Sequence, residues 1–264
     1  MGETIGKIAL AACQVIMIQV LLSAGAVTGE EDHDVLYQVS TIDALLESVY
    51  DGVMNMSGLL EHGDFGIGCF EGIDGEMIGV DGEFYQALAD GSVRLVSDNQ
   101  TTPFATVTFF EPDLNLTVEG DNLTLLESSI EAQIPSDNMF YAIRIDGVFP
   151  YVKARAIPKQ EKPYPRLAEA SANQSVFELY NVSGSIVGFY SPPFSKGVNV
   201  PGYHLHLISD DRKAGGHILD LRLNQTTASL DVTPEFFMLL PTEGAFAGAN
   251  LTKDLSAELE QVEK

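Results

Sequence analysis

The chain has 264 residues, of which 45% are hydrophobic and 20% charged, so one large domain or two small ones with a sizeable core can form. The formal net charge is -24, from 38 acidic and 14 basic residues. Nucleic-acid phosphates would repel a chain this acidic, so we expect no nucleic-acid partner. With only two cysteines, Cys13 and Cys69, the sequence also excludes a disulfide framework and a metal site built from cysteines.

The longest apolar run covers residues 8–27, IALAACQVIMIQVLLSAGAV, and carries no charged residue. Lys7 precedes it, and the Ala-Gly-Ala of residues 24–26 fits an A-x-A cleavage site. We therefore expect residues 1–26 to be a secretory signal peptide or an N-terminal membrane anchor, with a buried core helix as the alternative. The protein would then be exported or extracellular, and it would touch a membrane only through this leader. Eight N-x-S/T sequons are compatible with an exported, glycosylated chain.

Helical and strand patterns follow one another along the rest of the chain. A helix is predicted over residues 41–52, because Ile42, Leu45 and Val49 recur at helical spacing and Thr41 can cap it. Gly-rich turns then separate short apolar runs that predict strands. The elements expected next are a short helix at 56–61, strands at 65–70, 76–80, 93–96 and 106–110, and a helix at 123–133.

Strands dominate again from residue 139 to residue 233. They are expected at 140–145, 151–157, 185–190, 202–208, 216–223 and 227–232. The Pro-rich segment 157–165 predicts a loop, and residues 234–240 and 251–263 are predicted to be helices.

These patterns predict an α+β fold that is mostly β. We expect a sheet unit over residues 35–138 and, packed with it, a barrel-like unit over residues 139–264 that ends in a helical tail.

Three of the five histidines fall within fourteen residues, at His204, His206 and His217. On a strand, positions 204 and 206 share one face. The polar segment 209–215 (SDDRKAG) suits a hairpin turn, which would bring His217 opposite or diagonal to His206. Three imidazoles on adjacent strands would leave one side of a metal ion open, as in a catalytic site, although they do not identify the metal. His33 and His62 are read as solvated.

Two charged residues lie within otherwise apolar strands and are candidates for chemistry around such a metal. Glu76 begins the strand at 76–80, where a metal ligand or base would explain an acid at a core-facing position. Arg155 could hold a substrate carboxylate through two hydrogen bonds. The alternative for Glu76 is a sheet-edge carboxylate that faces water. The alternative for Arg155 is a position on a surface strand, where it alternates with Lys153, and the spacing alone favours this alternative.

From about Val39 to the C-terminus the chain resembles the alpha-acetolactate decarboxylase family. The stretches that carry the resemblance are HGDFGIG at 62–68, IDGEM at 73–77, QEKPYP at 160–165, SP at 191–192, GYHLHL at 202–207 and DDRKAGGHILD at 210–220. We would not expect this combination in another family.

The resemblance implies a set of site residues. His204, His206 and His217 match the family's zinc-binding histidines, Glu76 matches a glutamate beside the metal, and Arg155 matches an arginine that contacts substrate. The family also brings a C-terminal glutamate to the zinc, for which Glu263 is the best match and Glu260 the alternative. Cys69 departs from the family, which commonly has threonine there, so a thiol could shift activity or stereochemical preference. The implied fold is an N-terminal mixed sheet with a C-terminal β-barrel that carries the zinc, often as a homodimer.

The reaction implied is the zinc-dependent decarboxylation of 2-acetolactate to acetoin and carbon dioxide, a lyase step of acetoin biosynthesis in the butanediol pathway. Loss of carbon dioxide would leave a metal-stabilised enediolate, which Glu76, with Glu263, would protonate after Arg155 has positioned the carboxylate. No organic cofactor is expected, because the β-keto acid contains its own electron sink. The sequence also has no dinucleotide fingerprint in a suitable setting and no phosphate loop.

Two other classes of protein share part of this pattern. A cupin-like metal-dependent oxygenase or isomerase would also place an H-x-H pair on a strand with a later histidine nearby. A non-catalytic exported metal-binding protein would keep the three histidines but would need neither Glu76 nor Arg155.

Overall fold

A computed structural model describes residues 34–263 of the chain, so the predicted leader at 1–26 and His33 lie outside the described residues. The strands, in chain order, are β1 Val35–Val39, β2 Met54–Asn55, β3 Phe65–Cys69, β4 Glu76–Val80, β5 Glu83–Ala87, β6 Val93–Leu95, β7 Thr101–Thr102, β8 Phe104–Thr108, β9 Leu114–Gly120, β10 Phe140–Ala156, β11 Ser175–Ser191, β12 Gly202–Ser209, β13 Gly215–Thr233 and β14 Glu235–Leu239. The α-helices are α1 Ile42–Leu46, α2 Met56–Leu59, α3 Leu123–Glu131, α4 Leu167–Ser171 and α5 Ser256–Glu263. Among the described residues, no helix is long and apolar enough to span a membrane.

The first sheet has seven strands in the order β14-β1-β8-β3-β4-β5-β6. Its pairings are antiparallel except for the parallel pair of β1 and β14, so it is a mixed sheet. Its central strands are buried along their whole length, which is why Phe65–Cys69 and Glu76–Val80 read as apolar runs without alternation.

The helix predicted over residues 234–240 is wrong, because this segment is the edge strand β14. It pairs in parallel with β1, from Val35 opposite Glu235 to Val39 opposite Leu239. The run Phe236-Phe237-Met238 has high β propensity, but the partner strand that decides the outcome lies about 200 residues earlier in the chain.

The second sheet has the order β10-β11-β12-β13-β9, and β13 also pairs with β10. Strands β10 and β13 have 17 and 19 residues, so each joins two strands that were predicted separately. Strand β11 has 17 residues and extends the strand predicted at 185–190 toward the N-terminus. The mostly-β prediction is confirmed, and the closed barrel stays a prediction. The boundary between the two predicted units, at residues 138 and 139, also stays a prediction. In the structure β9 belongs to the second sheet and β14 belongs to the first.

Buried side chains from both sheets form common clusters. One cluster joins Ile67 and Ile78 of the first sheet to Ala142, Val187 and Ile208 of the second. Each of the isoleucine and valine side chains contributes about 1.5–3 kcal/mol when it is removed from water. The sheets therefore meet face to face, and β4 is held against the strands that carry the histidines.

A separate cluster covers the end of β3 with helices. It is formed by buried residues of α1, α4 and α5 together with Cys69 and Phe104. Thr41 caps α1 by accepting a hydrogen bond from the backbone N–H of Ala44 at 3.2 Å, which fixes the start of that helix. The three short helices thus form a roof over one end of the first sheet.

Candidate metal centre and active site

The three histidines meet as the strand pattern predicted. His204 and His206 lie two residues apart on β12, and His206 is directly opposite His217 of β13. The Nε2 atoms of His204 and His206 are 3.2 Å apart, and one ligand atom from each of the three rings lies within 4.8 Å of the others. This cluster could hold a metal ion.

Burial keeps these imidazoles neutral. It lowers the pKa of His204 to about 3 and holds the pKa values of His206 and His217 well below the usual range, with the Arg155 charge acting in the same direction. His206 Nδ1 lies 2.8 Å from the Met77 carbonyl oxygen, so it can donate its N–H there and leave Nε2 with a free lone pair. Neutral rings are the form that binds metals.

Two glycines allow the backbone to approach closely at the histidines. Gly188 of β11 is opposite Leu205, and a Cβ there would lie 2.1 Å from the His204 carbonyl oxygen. Gly216, with φ of 146°, precedes His217, and its Cβ would lie 2.5 Å from the Arg155 carbonyl oxygen. A side chain at either position would move a histidine.

Glu76 and Arg155 form a buried ion pair beside the histidines. Arg155 Nη1 donates to Glu76 Oε1 at 2.9 Å, and Glu76 Oε2 lies 3.8 Å from His206 Nε2. The two residues are 6% and 3% exposed, so the alternatives of a water-facing carboxylate and a surface arginine are wrong. Burial raises the pKa of Glu76 to about 7, although the neighbouring guanidinium opposes this.

The last residue of α5 completes the cluster. Glu263 Oε2 is 3.8 Å from His204 Nε2 and 3.7 Å from His217 Nε2, while Oε1 is 3.8 Å from Arg155 Nη2. Burial raises the pKa of Glu263. The alternative residue, Glu260, is exposed on the same helix. Of the two glutamates considered, Glu263 is the one that reaches the site.

The residues present fit a divalent ion. Zinc binds imidazole nitrogen at about 2.0–2.1 Å, so atoms that share one ion lie roughly 3–4 Å apart. The separations of 3.2 Å between two histidine nitrogens and 3.7–3.8 Å from Glu263 Oε2 fall in this range. Among the described residues, neither His217 Nε2 nor Glu263 Oε2 has a hydrogen-bond partner, although both are buried. Buried polar atoms without partners are costly, and a bound cation would satisfy them.

A cavity opens beside this cluster. Its polar side carries Glu76, Arg155, His204 and Glu263, and Cys69 lines it beside them. Its other wall is apolar and is formed by Ile42, Leu45, Ile73, Phe104, Ile157, Leu167 and Val262. The polar groups can orient a small oxygenated acid, while the apolar wall excludes water.

Some residues that organise the site gave no local signal in the sequence. Arg166 binds both carboxylate oxygens of Glu258 in α5, at 3.0 and 2.6 Å, and pairs with Glu47 at 2.8 Å. It thereby ties the helix that carries Glu263 to the rest of the roof. His62, expected to be solvated, instead stacks on Tyr37 with ring centroids 3.8 Å apart.

The chain is similar to proteins of one family over most of its length. The profile described as alpha-acetolactate decarboxylase matches residues 36–253. The alpha-acetolactate decarboxylase of Methanosarcina mazei is 56% identical over 232 residues, covering 88% of this chain and 81% of that protein. The Bacillus subtilis enzyme of the same name is 41% identical and covers 89% of this chain and 94% of its own length.

The fold agrees with solved structures as well. The crystal structure of alpha-acetolactate decarboxylase from Bacillus subtilis strain 168 superposes with a TM-score of 0.83 at 41% identity, covering 87% of this chain and 98% of that one. Because the family profile spans most of the chain and these relatives share well over 30% of their residues with it, the chain belongs to the alpha-acetolactate decarboxylase family and is a decarboxylase.

Proposed function

We propose that this chain decarboxylates 2-acetolactate to acetoin and carbon dioxide with a zinc ion held by His204, His206 and His217. The observation that carries the proposal is that three neutral imidazoles converge beside the buried Glu76–Arg155 pair, with His204 and both members of that pair lining one cavity. Glu263 would act as a further donor to the ion through Oε2, the oxygen that faces two of the rings. When bound, a divalent ion supplies Lewis-acid stabilisation of the negative charge that develops on substrate oxygens.

Arg155 binds and orients the substrate. Its guanidinium lines the cavity, and its Nε has no hydrogen-bond partner among the described residues. A carboxylate is the natural partner for such a buried donor, because guanidinium groups bind carboxylates through two parallel hydrogen bonds. Arg155 therefore holds the carboxylate that is lost, and the Glu76 contact fixes the orientation of the guanidinium.

Glu76 delivers the proton that replaces carbon dioxide. Arg155 holds its Oε1, so Oε2, on the side of the histidines, is the oxygen that carries the transferable proton. The enediolate left by loss of carbon dioxide is protonated on one face by this fixed group, which sets the configuration of acetoin. Glu263, which approaches from α5, assists by holding negative charge near the opposite end of Arg155.

Acetoin formation from racemic acetolactate tests the proposal. The full chain is assayed as isolated, after chelation, and after zinc is restored, with metal content measured at each step. We expect activity to be lost with the metal and recovered with zinc. A folded, metal-loaded protein that forms no acetoin above the spontaneous rate would contradict the decarboxylation, and activity that survives complete metal removal would contradict the zinc requirement. Oxygen-dependent turnover would favour the cupin-like alternative.

Other expectations join this proposal. The apolar run at residues 8–27, ending at a cleavage-like motif, supports export and decarboxylation outside the cytoplasm. The pairing of β13 with both β12 and β10 supports a barrel in the second sheet. The family resemblance supports a homodimer and a place in acetoin and butanediol metabolism.

A further inference from the structure

Asparagine and hydroxyl residues are paired along this chain far more often than composition predicts. The sequence has ten asparagines, and eight of them are followed two positions later by serine or threonine with no proline between. Serine and threonine make up 32 of the 264 residues, so a random order would give such a pair for about one asparagine in eight. The eight sequons begin at Asn55, Asn99, Asn115, Asn122, Asn173, Asn181, Asn224 and Asn250.

The sequon asparagines all lie at the surface of the structure. All ten lie within the described residues, and all eight sequon asparagines are exposed. The one buried asparagine, Asn199, is 3% exposed and donates from Nδ2 to Gln38 Oε1 at 2.8 Å. It is followed by valine and proline, so it is not in a sequon. The pattern is thus confined to positions that an enzyme could reach on the folded surface.

Strand alternation does not account for the pattern. On an exposed strand, polar residues recur at i and i+2, which would cover Asn115, Asn181 and Asn224 in β9, β11 and β13. The sequons at 99, 122, 173 and 250 lie in turns, irregular segments or the cap of a helix, where no such alternation operates. Selection for the N-x-S/T triplet itself explains the sequons in strands as well as those outside strands.

At three of the sequons the local geometry suits modification at the amide nitrogen, whereas Asn173 donates from Nδ2 to the Glu169 carbonyl oxygen at 3.4 Å. Asn122 caps α3 by accepting from the backbone N–H of Leu125 at 2.9 Å, and Asn55 caps α2 in the same way from Gly58 at 3.0 Å. Asn115 accepts from Ser229 Oγ at 2.9 Å. Each of these three bonds uses Oδ1, so the carboxamide is oriented through its oxygen while Nδ2, the atom that would carry a sugar, serves no role in it.

We propose that this chain is N-glycosylated at these sequons. The donor class is an oligosaccharide linked through its C1 oxygen to a lipid phosphate. The bond from asparagine Nδ2 to the sugar C1 forms, the bond from C1 to the phosphate oxygen breaks, and the amide proton leaves with the lipid phosphate. None of the eight asparagines lines the cavity that holds Glu76, Arg155 and His204, and Asn122 alone lines the neighbouring cavity that reaches His217 and Glu263. The inference is independent of the reaction that the chain catalyses.

The test is peptide-level mass spectrometry of the full chain isolated from the cells that naturally make it. We expect sequon peptides to carry sugar mass, and the peptide with Asn138, which is exposed but outside a sequon, to carry none. At Asn122 a matched pair isolates the hydroxyl, because Thr124→Ala destroys the sequon and Thr124→Ser preserves it. Thr124 is exposed in the first turn of α3, so neither change disturbs the core.

The outcomes are distinct. Glycan mass on sequon peptides that disappears with Thr124→Ala and persists with Thr124→Ser supports the proposal. Unmodified masses for all eight sequon peptides of the native protein overturn it. Sugar that persists at Asn122 in Thr124→Ala, or that is attached equally to Asn138, also overturns it, because the attachment would not then depend on the sequon.

Discussion

The cavity contains one buried cation between two buried carboxylates. Arg155 faces Glu76 at 2.9 Å and Glu263 at 3.8 Å. The two carboxylates exceed the one cation in charge, and burial raises the pKa values of both carboxyl groups because it desolvates them, although Arg155 opposes the shift. A divalent ion at the adjacent histidines would offset this excess, so the charge balance and the donor set favour the same occupant.

Replacing Arg155 separates substrate binding from metal binding. We expect Arg155→Ala to lower kcat/KM by about 100-fold or more, because a buried charged hydrogen bond to the substrate is lost, while the zinc content per chain stays near that of the native enzyme. Arg155→Lys keeps the charge without the planar fork, and should recover part of the rate. Steady-state kinetics and metal analysis measure both. Full decarboxylation by Arg155→Ala would show that our role for this residue is wrong.

Cys69 offers a second test in the same cavity. Cys69 lies on β3, directly opposite Glu76 of β4, and is 7% exposed. Burial raises the pKa of its thiol. A hydroxyl donates a stronger hydrogen bond than a thiol. We expect Cys69→Thr to raise kcat/KM by roughly 2- to 10-fold, the range that one ordinary hydrogen bond gives, and to alter the ratio of acetoin enantiomers. Cys69→Val has the shape of threonine without the hydroxyl, and an equal gain in that variant would contradict the explanation.

At the scale of elements, one short helix decides whether the site is complete. Helix α5 buries Leu259 and Val262 against α1 and α4, and Arg166 clamps Glu258 of the same helix. An eight-residue helix is marginal by itself in water. Its docking, rather than its helix propensity, therefore places Glu263 at the histidines.

Weakening that docking should loosen the metal. Leu259→Ala removes buried contacts worth about 2–5 kcal/mol, so the population with α5 in place falls and Glu263 withdraws its oxygen. We expect weaker zinc binding, measured by competition with a chromophoric chelator, and a lower kcat/KM, with the β-sheet signal in far-ultraviolet circular dichroism unchanged. Gln261→Ala, an exposed change on the same helix, is the matched control. An unchanged zinc affinity in Leu259→Ala would show that α5 does not support the ion.

At the scale of the whole molecule, an acidic residue is buried in the interior of this acidic chain. Asp231 of β13 is 0% exposed, and among the described residues its Oδ1 has no hydrogen-bond partner. Its Oδ2 accepts from the backbone N–H of Glu111 at 3.2 Å. Burial raises the pKa of Asp231 to about 7, and the charges of Asp113, Asp34 and Glu111 act in the same direction.

This carboxyl group predicts how stability depends on pH. The folded protein keeps the proton up to about pH 7, whereas the unfolded chain releases it near pH 3.9. Folding therefore takes up a proton between these values, and the free energy of unfolding falls as pH rises from about 4 to 7, by at most about 1.4 kcal/mol per pH unit. Asp231→Asn should lose this dependence. The stability of the variant, measured relative to the native chain, should therefore be higher at pH 8 than at pH 5.

Urea unfolding at the two pH values measures the effect. Asp98→Asn, an exposed change, controls for the loss of one negative charge. An equal pH dependence in the native chain and in Asp231→Asn would show that Asp231 does not carry the proton.

The sequence by itself determined the chemistry of the centre. The pair His204 and His206 shares a strand face because side chains alternate along strands, and a polar segment before His217 predicts the hairpin that returns it to the same place. The central strands β3 and β4 and the helix α3 were also readable, because their patterns are local. Together with the family motifs, these features were enough to predict the reaction.

Only the tertiary structure decided the rest. The parallel pairing that makes β14 a strand, the burial of Glu76 and Arg155, and the position of Glu263 all depend on residues distant in the chain. Spacing alone favoured a surface position for Arg155, because Lys153 alternates with it. Burial of a charge and pairing of an edge strand depend on what packs against them, and that neighbour is not encoded in the local pattern of residues.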